Sequence, residues 1–112
     1  MLRIDIETHD RKLGFDMAGV NNRLSAGTKV SIPGGGAIEF TGTLVRKAVG
    51  IPEVLQFLVD TATNLEYGLL ATWLAQKVDG RQIERITINR RIVTEITASG
   101  IRQVIEEVAT RE

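Results

Sequence analysis

The chain has 112 residues, of which 43% are hydrophobic and 25% charged, a composition typical of one globular domain spanning residues 1–112. It contains no cysteine, which excludes disulfides, thiol nucleophiles, zinc–thiolate sites and iron–sulfur clusters. Its 14 basic and 14 acidic residues cancel, and this neutrality argues against nucleic-acid binding, which depends on a basic excess. Because the first residues lack the basic and apolar regions of a signal peptide, we expect a cytoplasmic protein.

Residues 2–8 alternate between apolar and polar side chains. Leu2, Ile4 and Ile6 would face the core while the residues between them face water, which predicts a half-buried strand. The following residues, 10–27, are interrupted by glycine and asparagine and give no definite prediction.

Residues 29–41 predict a β-hairpin. Two runs with alternating apolar side chains, 29–32 and 37–41, flank a proline and three glycines. A phosphate-binding loop would need a Gly-Lys-Ser/Thr ending followed by a helix. A strand-like run follows here instead, so a hairpin turn is favoured.

The longest predicted element is a helix over residues 52–78. Pro52 suits the first helical position, and Gly80 suits the left-handed position that ends a helix. Apolar residues recur at helical spacing: Val54, Leu58, Ala62, Leu65, Leu69 and Trp73. Weak helix formers between residues 61 and 68 leave open a kink or break in the middle.

The last third of the chain predicts a hairpin and a helix. Two runs rich in β-branched residues, 83–89 and 92–96, predict the two strands of the hairpin, with two arginines at the turn. One continuous, bulged strand is the alternative. A helix capped by Thr97 or Ser99 would follow. Its apolar residues lie three and four positions apart: Ile101, Val104, Ile105 and Val108.

These elements predict an α+β fold. We expect a mostly antiparallel sheet of about four to five strands, with one long and one short helix packed on one face. The helices would cover the apolar sides of the strands and leave the polar sides in water. The sequence shows no internal repeat and no linker that would divide it.

Three side chains on the first strand are candidates for chemistry. Asp5, Glu7 and His9 alternate, so a strand places all three on one face, where they could ligate a divalent metal or transfer protons. The water-facing side of a half-buried strand is the favoured interpretation, because the chain has only one histidine. We therefore expect no catalytic residue, no metal site and no cofactor, and we favour a non-enzymatic protein while leaving an enzyme open.

Four arginines form the densest basic patch of the sequence: Arg81, Arg85, Arg90 and Arg91. RNA-binding sheets usually combine such cations with aromatic side chains that stack on bases. None of the chain's aromatic residues (three Phe, one Tyr and one Trp) lies in this patch. An exposed hairpin rim is therefore favoured over nucleic-acid binding, and an acidic protein partner is the next option.

The segment from Tyr67 to Ala75 carries no charge over two helical turns. It could be buried on several sides, or it could present one face to a partner. A membrane span would need about 20 apolar residues, and the acidic residues that flank the segment argue against an interfacial membrane helix. We therefore predict an interface around Tyr67, Leu70 and Trp73, with a second copy or another protein as the partner.

Four segments carry a family resemblance: Gly-Ile-Pro-Glu at 50–53, Leu-Leu-Ala-Thr-Trp-Leu at 69–74, Ile-Glu-Arg-Ile-Thr-Ile-Asn-Arg at 83–90 and Ile-Arg-Gln-Val-Ile-Glu-Glu at 101–107. Over residues 50–108 the chain resembles small bacterial proteins of the effector-associated kind, which are encoded near conflict or defence systems. The resemblance implies an accessory or adaptor role rather than an activity, and it carries over no functional residue.

The sequence thus favours a non-enzymatic interaction or assembly module that associates through its apolar helix. A small ligand-binding or metal-binding domain, or an enzyme, that uses Asp5, Glu7 and His9 is the first alternative. Nucleic-acid binding through the arginines at 81–91 is the second.

Overall fold

In a computed structural model, the described chain folds into one antiparallel sheet and three helices. The structure describes residues 1–20, 23–33, 36–44, 51–60 and 66–109. The strands are β1 (Leu2–Thr8), β2 (Lys29–Ile32), β3 (Gly36–Leu44), β4 (Glu53–Val59), β5 (Ile83–Ile88) and β6 (Arg91–Ile92), and the helices are α1 (Leu13–Ala18), α2 (Tyr67–Val78) and α3 (Ala98–Ala109).

The α+β class and the antiparallel sheet are confirmed. The sheet has six strands in the order β2-β3-β4-β1-β5-β6, which is more than the four to five predicted. Helices α2 and α3 have 12 residues each and α1 has six, so the prediction of one long and one short helix is wrong.

Strand β1 lies in the centre of the sheet, between β4 and β5. The predicted alternation is confirmed, because Leu2, Ile4 and Ile6 are fully buried. Together with the inward-facing residues of β3, β4 and β5 they form one core cluster with α2 and α3. The residues that alternate with them belong to the other, more exposed face of the sheet: Arg3, Asp5 and Glu7.

The predicted helix over residues 52–78 is wrong in its first half. Residues Glu53–Val59 form strand β4, which pairs with β1 on one side and with β3 on the other. Residues 61–65 lie outside the described chain, and helix α2 begins only at Tyr67. Gly80 has a φ of 71°, as predicted for the left-handed residue after this helix.

The apolar run in β4 fits two periodicities. Val54 and Leu58 are four positions apart and match a helix, whereas Leu55, Phe57 and Val59 alternate and match a strand. Pairing along both edges satisfies the backbone hydrogen bonds of a central strand, and it places the alternating set in the core. A strand therefore forms where the sequence also allows a helix.

Both predicted hairpins are present. Strands β2 and β3 confirm the hairpin over 29–41, although the turn glycines at 34–35 lie outside the described residues. In the second hairpin, Asn89 and Arg90 form the two-residue loop between β5 and β6, and both have positive φ (49° and 69°), as a type I′ turn requires. Strand β6 ends after two residues, so the predicted strand over 92–96 is wrong.

The remaining helices cover the same face of the sheet. Helix α1 fills part of the segment for which the sequence gives no prediction. Helix α3 confirms its predicted stripe, and Thr97 caps it by accepting a hydrogen bond from the Gly100 backbone N–H at 3.1 Å. No helix of the described residues is both long and apolar enough to cross a bilayer.

Candidate functional site

The structure does not bring Asp5, Glu7 and His9 together as a site. Asp5 lies 3.3 Å from the Arg3 guanidinium, and Glu7 lies 3.5 Å from Arg85. His9 follows the end of β1, where its Nε2 lies 2.9 Å from a carboxylate oxygen of Glu84. No group of three or more acidic or histidine side chains within the described residues could hold a metal ion.

The predicted basic patch is dispersed by intramolecular ion pairs. Arg85 faces Glu7 on the neighbouring strand, and Arg91 lies 3.3 Å from Glu107 of α3. Arg81 belongs to a separate ion cluster at the end of β1. Within the described chain, Arg90 is thus the one arginine of the four without an ion pair. Among the described residues, the four arginines of this patch therefore do not form one unpaired positive surface.

The ion cluster around Arg81 is not indicated by any sequence pattern. Its guanidinium lies 3.2 Å from Asp10 and also forms an ion pair with Asp16 of α1. The buried Thr8 hydroxyl donates to the Arg81 carbonyl at 2.9 Å and accepts from the Asp10 backbone N–H at 3.0 Å. The cluster therefore links α1 to the loop between α2 and β5.

Two contacts lower the pKa of Asp10. The backbone N–H of Lys12 donates to Asp10 Oδ1 at 2.8 Å and is the largest cause, followed among the attractive contacts by the Arg81 guanidinium. Both stabilise the ionised carboxylate, and they outweigh the opposing effect of its partial burial.

We expect the substitution Asp10→Asn to destabilise the fold more at pH 7 than at about pH 2. Because folding lowers the pKa of Asp10, the carboxylate stabilises the fold above its unfolded-state pKa of about 3.9. That contribution is lost as the pH falls through the folded-state pKa. Urea unfolding at both pH values measures the loss in free energy of unfolding, with Asp79→Asn as a control outside the cluster. An equal loss at both pH values would contradict the assignment.

The three residues predicted for an interface occupy different environments on α2. Leu70 is fully buried beneath the helix, so its prediction as an interface residue is corrected: it belongs to the core. Tyr67 and Trp73 are half-buried at the edge of the core. The difference in burial follows from the helical repeat. Residues four positions apart lie on one side of the helix, and the side that faces the sheet carries Leu70, Leu74 and Val78.

The outer side of α2 carries a stripe without charge. The stripe starts at Leu69, and residues three, four and seven positions further along lie on the same helix face: Thr72, Trp73 and Gln76. Leu69 is 46% exposed although it is a large apolar residue. The Lys77 ammonium lies 5.8 Å from the centre of the Trp73 ring, so a cation borders the stripe at its C-terminal end. We call these four residues the α2 stripe.

Comparison with known proteins identifies no relative: no protein-family model, curated protein or solved structure matches the chain. The resemblance to effector-associated proteins therefore stays a prediction. On the described surface, many charges are paired with each other, whereas the α2 stripe is uncharged.

Proposed function

We propose that this protein is a non-enzymatic interaction module that self-associates by pairing its α2 stripe with that of a second copy. The observation that carries the proposal is the environment of α2. One side of the helix is fully buried, while the other exposes Leu69 and part of Trp73 without a charged residue between them. Large apolar and aromatic side chains of this kind form the centres of protein interfaces.

The ends of α2 favour an antiparallel arrangement of the two copies. Glu66 caps the N-terminus, where its carboxylate accepts from the Gly68 backbone N–H at 3.2 Å. Lys77 lies in the last turn. An antiparallel pair would place Glu66 of one copy near Lys77 of the other and would oppose the two helix dipoles. The zero net charge of the chain keeps repulsion between copies weak.

Variants that introduce a negative charge into the α2 stripe test the proposal. We expect the wild-type protein to show twice the chain mass by sedimentation equilibrium, and Trp73→Glu and Leu69→Glu to show the chain mass. A glutamate in the centre of an apolar interface would be desolvated without a partner, and truncating a central tryptophan alone typically costs about 2 kcal/mol or more.

The matched control is Gln103→Glu, which adds the same charge to an exposed position on α3. It should leave the dimer intact, and circular dichroism should show that all variants are folded. A wild-type protein that stays monomeric at high micromolar concentration would contradict the proposal. So would a dimer that both α2 variants leave unchanged.

A further inference from the structure

A cavity of about 500 Å³ opens between α1 and the ends of β3 and β4. Its base is formed by Phe40 and Leu55, which are almost fully buried, and its walls include the half-buried Phe15 and Leu24. The volume falls within the range of about 300–1,000 Å³ that is usual for small-molecule sites. The cavity lies beside α1, on the side of the sheet where Phe40 and Leu55 belong to the core.

Two backbone features shape this cavity. The pairing of β3 with β4 shifts between Phe40 and Gly42, so an extra residue forms a β-bulge. The bulge places Thr43, rather than its neighbours, opposite Leu55 and beside the cavity. A β-carbon at Gly14 would lie 2.9 Å from Leu24 and 3.3 Å from Leu55, so the glycine allows α1 to approach Leu24 in the wall and Leu55 in the base.

The polar residues of the cavity carry opposite charges that are not paired. Arg11 and Glu53 both line it, yet within the described residues neither forms an ion pair with the other or with any other side chain. Ion pairs within the described chain hold five other arginines: Arg3, Arg81, Arg85, Arg91 and Arg102. In that part of the chain Arg11, like Arg23 and Arg90, forms none, so its guanidinium is available to a ligand. The Thr43 side chain adds a hydroxyl to the same wall.

We propose that this cavity binds a small zwitterion with an apolar body, the chemical class to which the apolar amino acids belong. The apolar body would rest on Phe40 and Leu55, since a buried aromatic and aliphatic base favours apolar ligand atoms. Arg11 would bind the anionic group of the ligand and Glu53 its cationic group, with charge-assisted hydrogen bonds. The proposal does not depend on self-association, because the cavity and the α2 stripe share no residue.

Three probes with the same apolar body separate the contributions of the two charges. L-phenylalanine carries both charges, 3-phenylpropanoate only the negative one, and phenethylamine only the positive one. We follow the backbone amide signals of Gly14, Leu24 and Thr43 by NMR during each titration. Phenylalanine should shift these signals, and each singly charged probe should bind about tenfold more weakly, as expected from the loss of one charge-assisted contact.

Variants at the two charged residues identify their roles. In Glu53→Gln, phenylalanine should no longer bind more tightly than 3-phenylpropanoate. In Arg11→Ala, phenylalanine should no longer bind more tightly than phenethylamine. Arg90→Ala, at an exposed arginine away from the cavity, should change neither preference. Absence of any shift with all three probes at millimolar concentration would overturn the proposal. Equal binding of 3-phenylpropanoate and phenylalanine to the wild-type protein would also overturn it, because Glu53 would then not contact the ligand.

Discussion

Replacing Phe57 with alanine is expected to lower the free energy of unfolding by about 3–5 kcal/mol. Phe57 is 1% exposed in the centre of β4. Its ring meets that of Phe40 edge to face, with 5.6 Å between the ring centres. Truncation would remove this contact and leave a cavity in the middle of the sheet. Since small domains are stable by only about 5–15 kcal/mol, we expect the variant to unfold at a lower temperature and a lower urea concentration than the wild-type protein.

Urea denaturation of Phe57→Ala and Phe57→Leu measures this effect. Leucine retains most of the buried volume, so Phe57→Leu should lose clearly less stability, about 1.5 kcal/mol. The experiment also tests the correction of the predicted helix, because only the strand places Phe57 in contact with Phe40. A loss below about 1 kcal/mol for the alanine variant would contradict the described core.

The substitution Gly100→Ala is expected to destabilise the fold by about 1–3 kcal/mol, although alanine is the better helix former. Gly100 is buried in the first turn of α3. A β-carbon there would lie 2.0 Å from the Glu95 carbonyl oxygen and 2.9 Å from its carbonyl carbon. Because these are backbone atoms, the loop before α3 would have to shift.

Gly68→Ala provides the matched control in α2. Its β-carbon would meet only the flexible ends of Arg102 and Glu66, both at 3.4 Å. Alanine should therefore be neutral there or stabilise the fold by up to about 1 kcal/mol, through helix propensity. Thermal unfolding of both variants measures the difference. Equal melting temperatures for the two variants would contradict the close approach of α3 to Glu95.

Local sequence patterns predict the elements whose periodicity is unambiguous. Strand β1 shows strict alternation, and α3 shows one apolar stripe, so each could be predicted from its own residues. Strand β4 could not, because Val54 and Leu58 fit a helix as well as Leu55 and Phe57 fit a strand. Whether these residues form a strand or a helix depends on β1 and β3. These two strands pair with opposite edges of β4 and come from other parts of the sequence.

The surface was less predictable than the core, because it depends on contacts over long sequence distances. Arg81 and Asp10 are 71 positions apart, so the sequence could not show that this arginine of the basic patch is neutralised. The apolar character of α2 was visible in the sequence. Its outward side was not, because a continuous helix from residue 52 places Leu69 in one stripe with Val54, whereas the helix that begins at Tyr67 buries Leu70 and exposes Leu69.

The single cysteine variant Thr72→Cys tests the central claim most directly. The chain has no cysteine of its own, and an antiparallel pair centred on α2 would bring the two Thr72 positions close to the symmetry axis. Disulfide formation requires β-carbons about 3.5–4.5 Å apart. We predict that mild oxidation converts Thr72→Cys rapidly into a covalent dimer, while Gln103→Cys reacts slowly. Equal rates for the two variants, or no dimer with Thr72→Cys, would contradict self-association through the α2 stripe.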